Sequence, residues 1–328
     1  ILDNEEPQSA LAALATAPDG AAWLAAFEQA KEPWFWFSTG VGYCHADAVW
    51  MSDLRLPVNS MRGYIVSIRN GEEIRRPTSE ILAKRERTIA EYRALLPTDE
   101  DRAGFDGLIA LATKVFPYVE NHNFYVEHWH HSIFWAKIRE LGSVFVAHNF
   151  FDDPDDIFHL HRFEINAAIY DLEIGWASAA PARGETHWRP IIARRKEIRE
   201  KLLRWTPPPA LGTPPEILND PVAVTLWGIT REQVDEWLGV DTETASELRG
   251  VAASAGKVVG KARIITNTDQ LYDVRNGEIL VCRITAPSWA PVFQRIGAAV
   301  SDVGGLMAHT AIISREYGPP AVVGTGYA

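Results

Sequence analysis

The segment Asp302-Val303-Gly304-Gly305-Leu306-Met307-Ala308-His309-Thr310 places an imidazole shortly after a glycine pair. The apolar run 297–300 before it reads as a buried strand, and the two glycines permit a tight turn and close backbone approach by a ligand. Apolar Ala311, Ile312 and Ile313, closed by Gly318 and two prolines, read as a helix with His309 near its first turn. The first N–H groups of a helix lack internal partners and the helix dipole is positive there, so an anion is at home, phosphate most commonly. A neutral ring nitrogen can attack a phosphoryl group, and adjacent amides can hold the charge of the resulting N-phosphate. The competing reading is a helix start that merely contains a histidine, since so short a motif is only a hypothesis.

A second cluster lies in a long apolar-polar stretch from Val115 to Leu141, read as one helix. Four of the ten histidines fall within it: His122, His128, His130 and His131. At helical spacing, positions 122, 126, 129 and 130 share one face, holding His122, Trp129 and His130, while Glu127 and His131 form an i, i+4 pair on a neighbouring face. Three readings stand. One is an acceptor site with a histidine as general base for a hydroxyl and tryptophan as a wall. Another is a metal site, although no two of these histidines are four apart and the His-Glu-x-x-His pattern is absent. The third is a polar helix face with histidines packed on aromatics.

The run Gly-Gly-Leu-Met-Ala-His-Thr-Ala-Ile-Ile-Ser-Arg-Glu-Tyr-Gly-Pro-Pro-Ala-Val-Val-Gly, 304–324, resembles the phosphohistidine signature of the phosphoenolpyruvate-utilising enzymes, which include phosphoenolpyruvate synthase, pyruvate phosphate dikinase, rifampicin phosphotransferase and phenylphosphate synthase. The resemblance implies that His309 carries the phosphoryl group and that Gly304 and Gly305 contribute to its phosphate cradle. Met307 and Ala308 stand where the family often has a hydroxyl residue and Ser or Cys, so a hydroxyl used for regulation or phosphate contact is missing. The phrase Glu120-Asn121-His122-Asn123-Phe124-Tyr125-Val126-Glu127 is similar to the matching helix of the rifampicin and phenylphosphate branches. In those branches such a face lies toward the acceptor pocket. That implies His122 as general base, with Glu127, His128, Trp129 and His130 as secondary acceptor contacts.

Bulk properties narrow the class. The chain has 328 residues, 47% hydrophobic and 23% charged, as in an ordinary globular protein with room for two domains. A net charge of −11 argues against nucleic acid or an anionic membrane as main partner. Only Cys44 and Cys282 occur, far apart, which fits a reducing cytoplasm and supplies no metal or disulfide framework. No run approaches a membrane span, and no signal peptide is visible. Twelve tryptophans are many, and beside their usual core role they make flat walls for aromatic ligands.

The elements that must position these residues follow in order. Residues 1–30 read as helical, and Trp34-Phe35-Trp36-Phe37 as a core block. His45 and Trp50 lie among apolar neighbours and read first as satisfied core groups. Pro77-Thr78-Ser79 opens a helix whose stripe holds Ile81, Leu82, Ile89, Tyr92, Leu95 and Leu96. The acidic run Asp152 to Asp156 lacks calcium-loop spacing and reads as a helix start. Arg194, Arg195, Lys196, Arg199, Lys201 and Arg204 make a basic helix, solvated or phosphate-binding. Prolines 207–209, 214, 215 and 221 mark a stiff connector, followed by a short helix with a Thr230/Gln233 capping box and a polar stretch, Asp241 to Glu247, that reads as a hinge. From Leu248 short strands begin, with candidates at 258–265 and 279–282 and a turn at Asn276-Gly277.

The expectation is an α+β chain. Residues 1–205 form a mainly helical acceptor domain, 206–247 a proline-rich connector, and 248–328 a smaller α/β swivelling phosphohistidine domain. The family's swivelling domain runs on through further strands, so this one reads as cut short. No Walker loop, ATP-grasp signature or phosphoenolpyruvate barrel is recognisable. The expected function is therefore a phosphotransferase subunit or fragment. An ATP-binding, grasp-type domain or subunit, carrying Mg²⁺, phosphorylates His309, which passes the group to a small, aromatic hydroxyl compound. Alternatives are an antibiotic phosphotransferase fragment, a non-catalytic phosphocarrier or regulatory module, and, last, a metal hydrolase built on the histidine helix.

Overall fold

The computed structural model describes residues 6–71, 74, 78–205, 212–239 and 247–328. The three prolines 207–209 and most of the hinge 241–247 lie outside the described residues, as does Pro77. The fold is α+β: twelve α-helices, five short strands and several 3₁₀ and π turns are described. Contacts divide it into two compact units, Ile1–Trp129 with Thr213–Ala328, and His130–Gly212.

The first unit begins with α1 (Pro7–Ala15) and α2 (Gly20–Lys31), then α3 (Arg55–Arg69), α4 (Thr78–Leu95) and α5 (Asp99–His122). Thr98 caps α5 by accepting from the Asp101 amide, with three acidic residues in the first turn facing the dipole. The stripe expected on α4 does form a helix, yet it buries nothing: Tyr92 is 61% and Leu95 77% exposed. Arg93 of α4 reaches Asp106 of α5 at 3.0 Å.

The C-terminal part of this unit is a five-stranded sheet, β1 (Val251–Ser254), β2 (Ala262–Ile265), β3 (Ile279–Cys282), β4 (Ala298–Ser301) and β5 (Ala321–Val323), in the order β1-β5-β4-β3-β2. β2, β3, β4 and β5 run parallel, and β1 closes the edge antiparallel to β5. The near-continuous apolar runs of β3 and β4 fit parallel strands covered on both faces. Four further helices flank the sheet sequence: α9 (Pro221–Thr225), α10 (Arg231–Gly239), α11 (Ala290–Phe293) and α12 (His309–Tyr317). Thr230 accepts from the Gln233 amide at the start of α10, as the capping box predicts.

The sheet core includes Leu280, Trp289, Val292, Phe293, Ala311 and Val323, joined by Leu56 of α3. Polar ties hold the 38–64 segment to the same body. Trp289 Nε1 donates to Thr39 O at 2.7 Å, Tyr272 Oη to Asp53 Oδ2 at 3.1 Å, and Gln294 Nε2 to Tyr64 Oη at 3.1 Å.

The second unit contains α6 (His131–Ala147), α7 (Arg162–Ser178) and α8 (Arg189–Leu203) around Phe145, Phe150, Phe151, Ile157 and Trp188. The acidic run is a helix start, as expected. Asp153 and Asp156 form a reciprocal capping box on a 3₁₀ turn, Pro154–His159. Part of the basic helix is committed to ion pairs. Arg195 grips Glu164 through two bonds of 2.6 and 2.9 Å, and that guanidinium holds the carboxyl at about 2. Lys196 pairs with Asp156.

Candidate functional site

His309 opens α12, as the sequence indicates. Ala308 occupies the cap position and offers no side-chain acceptor. The first helical bond runs from the Ile312 amide to Ala308 O, so among the described residues the amides of His309, Thr310 and Ala311 find no acceptor. Three donors and the positive end of the dipole therefore converge beside the imidazole.

Thr285, at the end of the loop after β3, fixes the ring. Its Oγ1 lies 2.8 Å from His309 Nδ1 and 2.8 Å from Thr310 Oγ1. A hydroxyl has one proton to give. When Thr285 donates to Thr310, it accepts from Nδ1–H, and the lone pair of His309 sits on Nε2. Phe293 packs edge-on against the ring at 6.2 Å between centroids. Burial, with the charge of nearby His128 second, pushes the imidazole down to about 4. His309 is therefore neutral at physiological pH, as a nucleophile must be.

The glycine pair has a different job from the one expected. The amides of Gly304 and Gly305 donate to Trp227 O at 3.2 Å and Leu226 O at 2.9 Å, so in this arrangement they are not a phosphate cradle. The donors left for an anion are those of α12 itself. Gly304 is required by its φ of +132° and by Ala308, whose Cβ a side chain there would meet at 2.7 Å, and Gly305 because the 224–228 segment presses on it. A Cβ on Gly305 would stand 2.5 Å from Thr225 O, and one on Gly228, at φ +70°, 2.3 Å from Gly304 O. The space left among Trp227, Thr285, Gly304, Ala308 and His309 is about 110 Å³. That is a volume for a phosphoryl group, below the roughly 300 Å³ where small-molecule sites begin.

The histidine-rich stretch is not one α-helix. Between α5 and α6, residues Asn123–His130 form π turns, whose i→i+5 spacing rotates each later side chain away from its α-helical direction. The face predicted from 122, 126, 129 and 130 therefore does not form. His122 Nδ1 instead lies 3.4 Å from Glu127 Oε1, five residues on, with Asn123 Nδ2 donating to the other carboxylate oxygen at 3.2 Å. Tyr43 also donates to Glu127, and that hydrogen bond is the main cause pushing the phenol up to about 12. His122 keeps 44% of its side chain exposed.

His128, expected as an acceptor contact, is wholly buried, because the π turns point it inward. Its Nδ1 accepts from the Ser38 amide at 3.1 Å, and Phe37 lies against the ring at 4.4 Å. In the neutral ring this puts the proton on Nε2. The 37–50 loop ties the π segment to the sheet body: the Ser38 amide donates to His128, and Thr39 O accepts from Trp289. Gly42, at φ +91°, lets that loop lie on the π segment, since a Cβ there would meet Glu127 O at 2.5 Å. Trp129 packs on Tyr125 and Phe124, and His130 is exposed at the start of the second unit, its ring against His131. Thr285, Thr310, Ser38 and Thr39 were not singled out in the sequence, where isolated hydroxyl residues carry no signal. Among the described residues no group of three His, Cys, Asp or Glu side chains could hold a metal ion.

In this α+β body a histidine stands at the start of the helix that follows β4. Residues 274–328 match the family described as PEP-utilising enzyme, mobile domain, and the chain carries that domain. Over 99% of its length it is 25% identical to the uncharacterised phosphotransferase YvkC of Bacillus subtilis, of which it spans 36%. It is 38% identical to a rifampicin phosphotransferase of the same organism over 58% of the chain, 18% of that relative. It is 42% identical to one from a Streptomyces species over 34% of the chain, 12% of that relative. The chain thus spans well under two thirds of each relative.

Proposed function

We propose that this chain is the phosphocarrying and acceptor part of a phosphotransferase. His309 Nε2 attacks a phosphoryl group supplied from ATP, the N–P bond forms as the bond to the nucleotide breaks, and the phosphoryl group then passes to a hydroxyl. The observation that carries this reading is the ring itself: neutral, held at Nδ1 by Thr285, and set at an uncapped helix start with three unused amides. Those amides would hold the phosphoryl oxygens. The buried Nε2–H of His128 would add positive potential nearby.

No Walker loop or ATP-grasp signature is recognisable in the sequence, and we assign ATP and Mg²⁺ to a partner domain or subunit of the grasp type. The domain limits of 1–205, 206–247 and 248–328 and a reducing, cytoplasmic setting belong to the same proposal. His122 remains our general base for the acceptor hydroxyl, with Glu127 orienting it as a carboxylate orients the histidine of a hydrolase triad. The acceptor class we favour is a phenol-like compound, on the aromatic richness of the segment around Trp34, Phe37, Phe124 and Trp129. The relatives named rifampicin phosphotransferase support the antibiotic alternative equally. A plain phosphocarrier is favoured by one observation, the phosphoryl-sized space beside His309.

The test is incubation with a candidate partner and ATP radiolabelled in both its β- and γ-phosphoryl groups. Acid-labile label on wild type and none on His309→Ala supports the proposal, and equal label on both refutes it. Discharge of the label by simple phenols separates the transferase from the carrier.

A further inference from the structure

Away from His309, a cavity of about 480 Å³ lies between α3 and the segment 272–295. Its size is that of a small-molecule site, roughly 300–1,000 Å³. Asn59, Arg62, Gly63, Asn276, Gln294 and Arg295 are among its lining residues, and among the described residues no aspartate or glutamate lines it.

Arg295 is the informative one. Its Nη2 donates to Leu271 O at 3.3 Å, while its Nε is buried and has no partner among the described residues. Burial alone pushes its pKa down, because no opposite charge compensates the lost hydration. A guanidinium kept in such a place costs stability unless an anion joins it. Its planar fork matches the oxygens of a phosphate or carboxylate. Arg62, whose Nη1 reaches Asn59 Oδ1 at 2.7 Å, adds a second positive charge on the α3 wall. The amides of Asn59, Asn276 and Gln294 offer both donors and acceptors to a hydroxylated body. Tyr272 fixes its wall by donating to Asp53.

We propose that this cavity binds a small, polar molecule bearing an oxyanion, with the phosphate or carboxylate group on Arg295. α3 forms one wall and residues 291–295 the other, so the ligand ties the 55–69 helix to the histidine-bearing domain. Pro291 and Val292 line the cavity, and Phe293, the next residue, rests on the His309 ring. Occupancy is therefore one residue removed from the imidazole. The binding claim does not rest on phosphorylation of His309.

Titration calorimetry of the full chain with inorganic phosphate, glycerol phosphate and citrate tests it. Saturable binding by at least one probe is expected, retained in His309→Ala and weakened at least about tenfold in Arg295→Met, the worth of one charge-assisted bond. Gly63→Leu is the second variant. A Cβ on Gly63 meets nothing within 4 Å, so leucine enters the cavity while improving the helix. It should weaken binding as much, with an unchanged circular dichroism spectrum. Binding by the phosphates alone assigns a phosphate ester, and by citrate alone a carboxylate. No saturable binding by any of the three, or binding that survives both Arg295→Met and Gly63→Leu, overturns the proposal.

Discussion

Replacing Thr285 by valine keeps the side-chain volume and deletes one oxygen. That oxygen sits 2.8 Å from both His309 Nδ1 and Thr310 Oγ1. Thr310 is buried, so the change strands its hydroxyl and, in the tautomer protonated on Nδ1, a ring N–H. An unsatisfied buried polar group costs about 1–3 kcal/mol. Here the cost falls on the tautomer with its lone pair on Nε2. The competing tautomer carries its proton on Nε2 and cannot attack. At 1.36 kcal/mol per tenfold, the phosphorylation rate should fall about 5- to 150-fold. The assay is single-turnover labelling of the chain by ATP and its partner, with nitrogen NMR of the imidazole reading the tautomer directly. Thr285→Ser restores the hydroxyl and should recover most of the rate, which separates hydrogen bonding from packing. Since burial is the first cause of the low His309 pKa, raising the pH should not rescue the valine variant. A Thr285→Val chain that folds normally and is phosphorylated within about twofold of wild type would refute the reasoning.

Three further outcomes follow from the same geometry. The His309 pKa of about 4 lies below the ordinary histidine value, so its labelling rate should show no histidine titration between pH 5.5 and 8; the group's contribution to stability is complete above about 6.5 and is lost as pH falls toward 4, which urea melts across that window will read. Cys282 is buried with its thiol pushed up to about 12, whereas Cys44 is exposed, so iodoacetamide at pH 8 should modify Cys44 in the native protein and Cys282 only after unfolding, as peptide mass mapping will show. Gly228→Ala puts a Cβ 2.3 Å from Gly304 O at positive φ and should destabilise the first unit by about 1–3 kcal/mol in urea melts, with Gly71→Ala, where a Cβ meets nothing, as the control for positive φ alone.

What could be read beforehand was local. The apolar runs of β3 and β4, the Thr230 cap and the turn into α12 are written in adjacent residues, and each appears within a residue or two of its expected place. What could not be read was carried by distant partners. Thr285 and His309 are 24 positions apart, and Ser38 and His128 are 90 apart. No spacing rule links such pairs. The π turns at Asn123–His130 misled a reading that assumed 3.6 residues per turn, turning His128 inward and pairing His122 with Glu127. The glycine pair was correctly read as a place of close backbone approach, but the approaching group is the 224–228 segment. The α4 stripe shows that an amphipathic pattern specifies a helix without specifying what covers it.

Phosphotransfer as proposed runs through one atom, His309 Nε2. Mass spectrometry under neutral conditions, with phosphorus NMR of the chain after exposure to ATP and its partner, tests it most directly. A single phosphoryl group on Nε2 of His309, absent from His309→Ala and poorly formed on Thr285→Val, is the predicted result. A phosphoryl group on Nδ1, on another side chain, or undiminished in His309→Ala would contradict it.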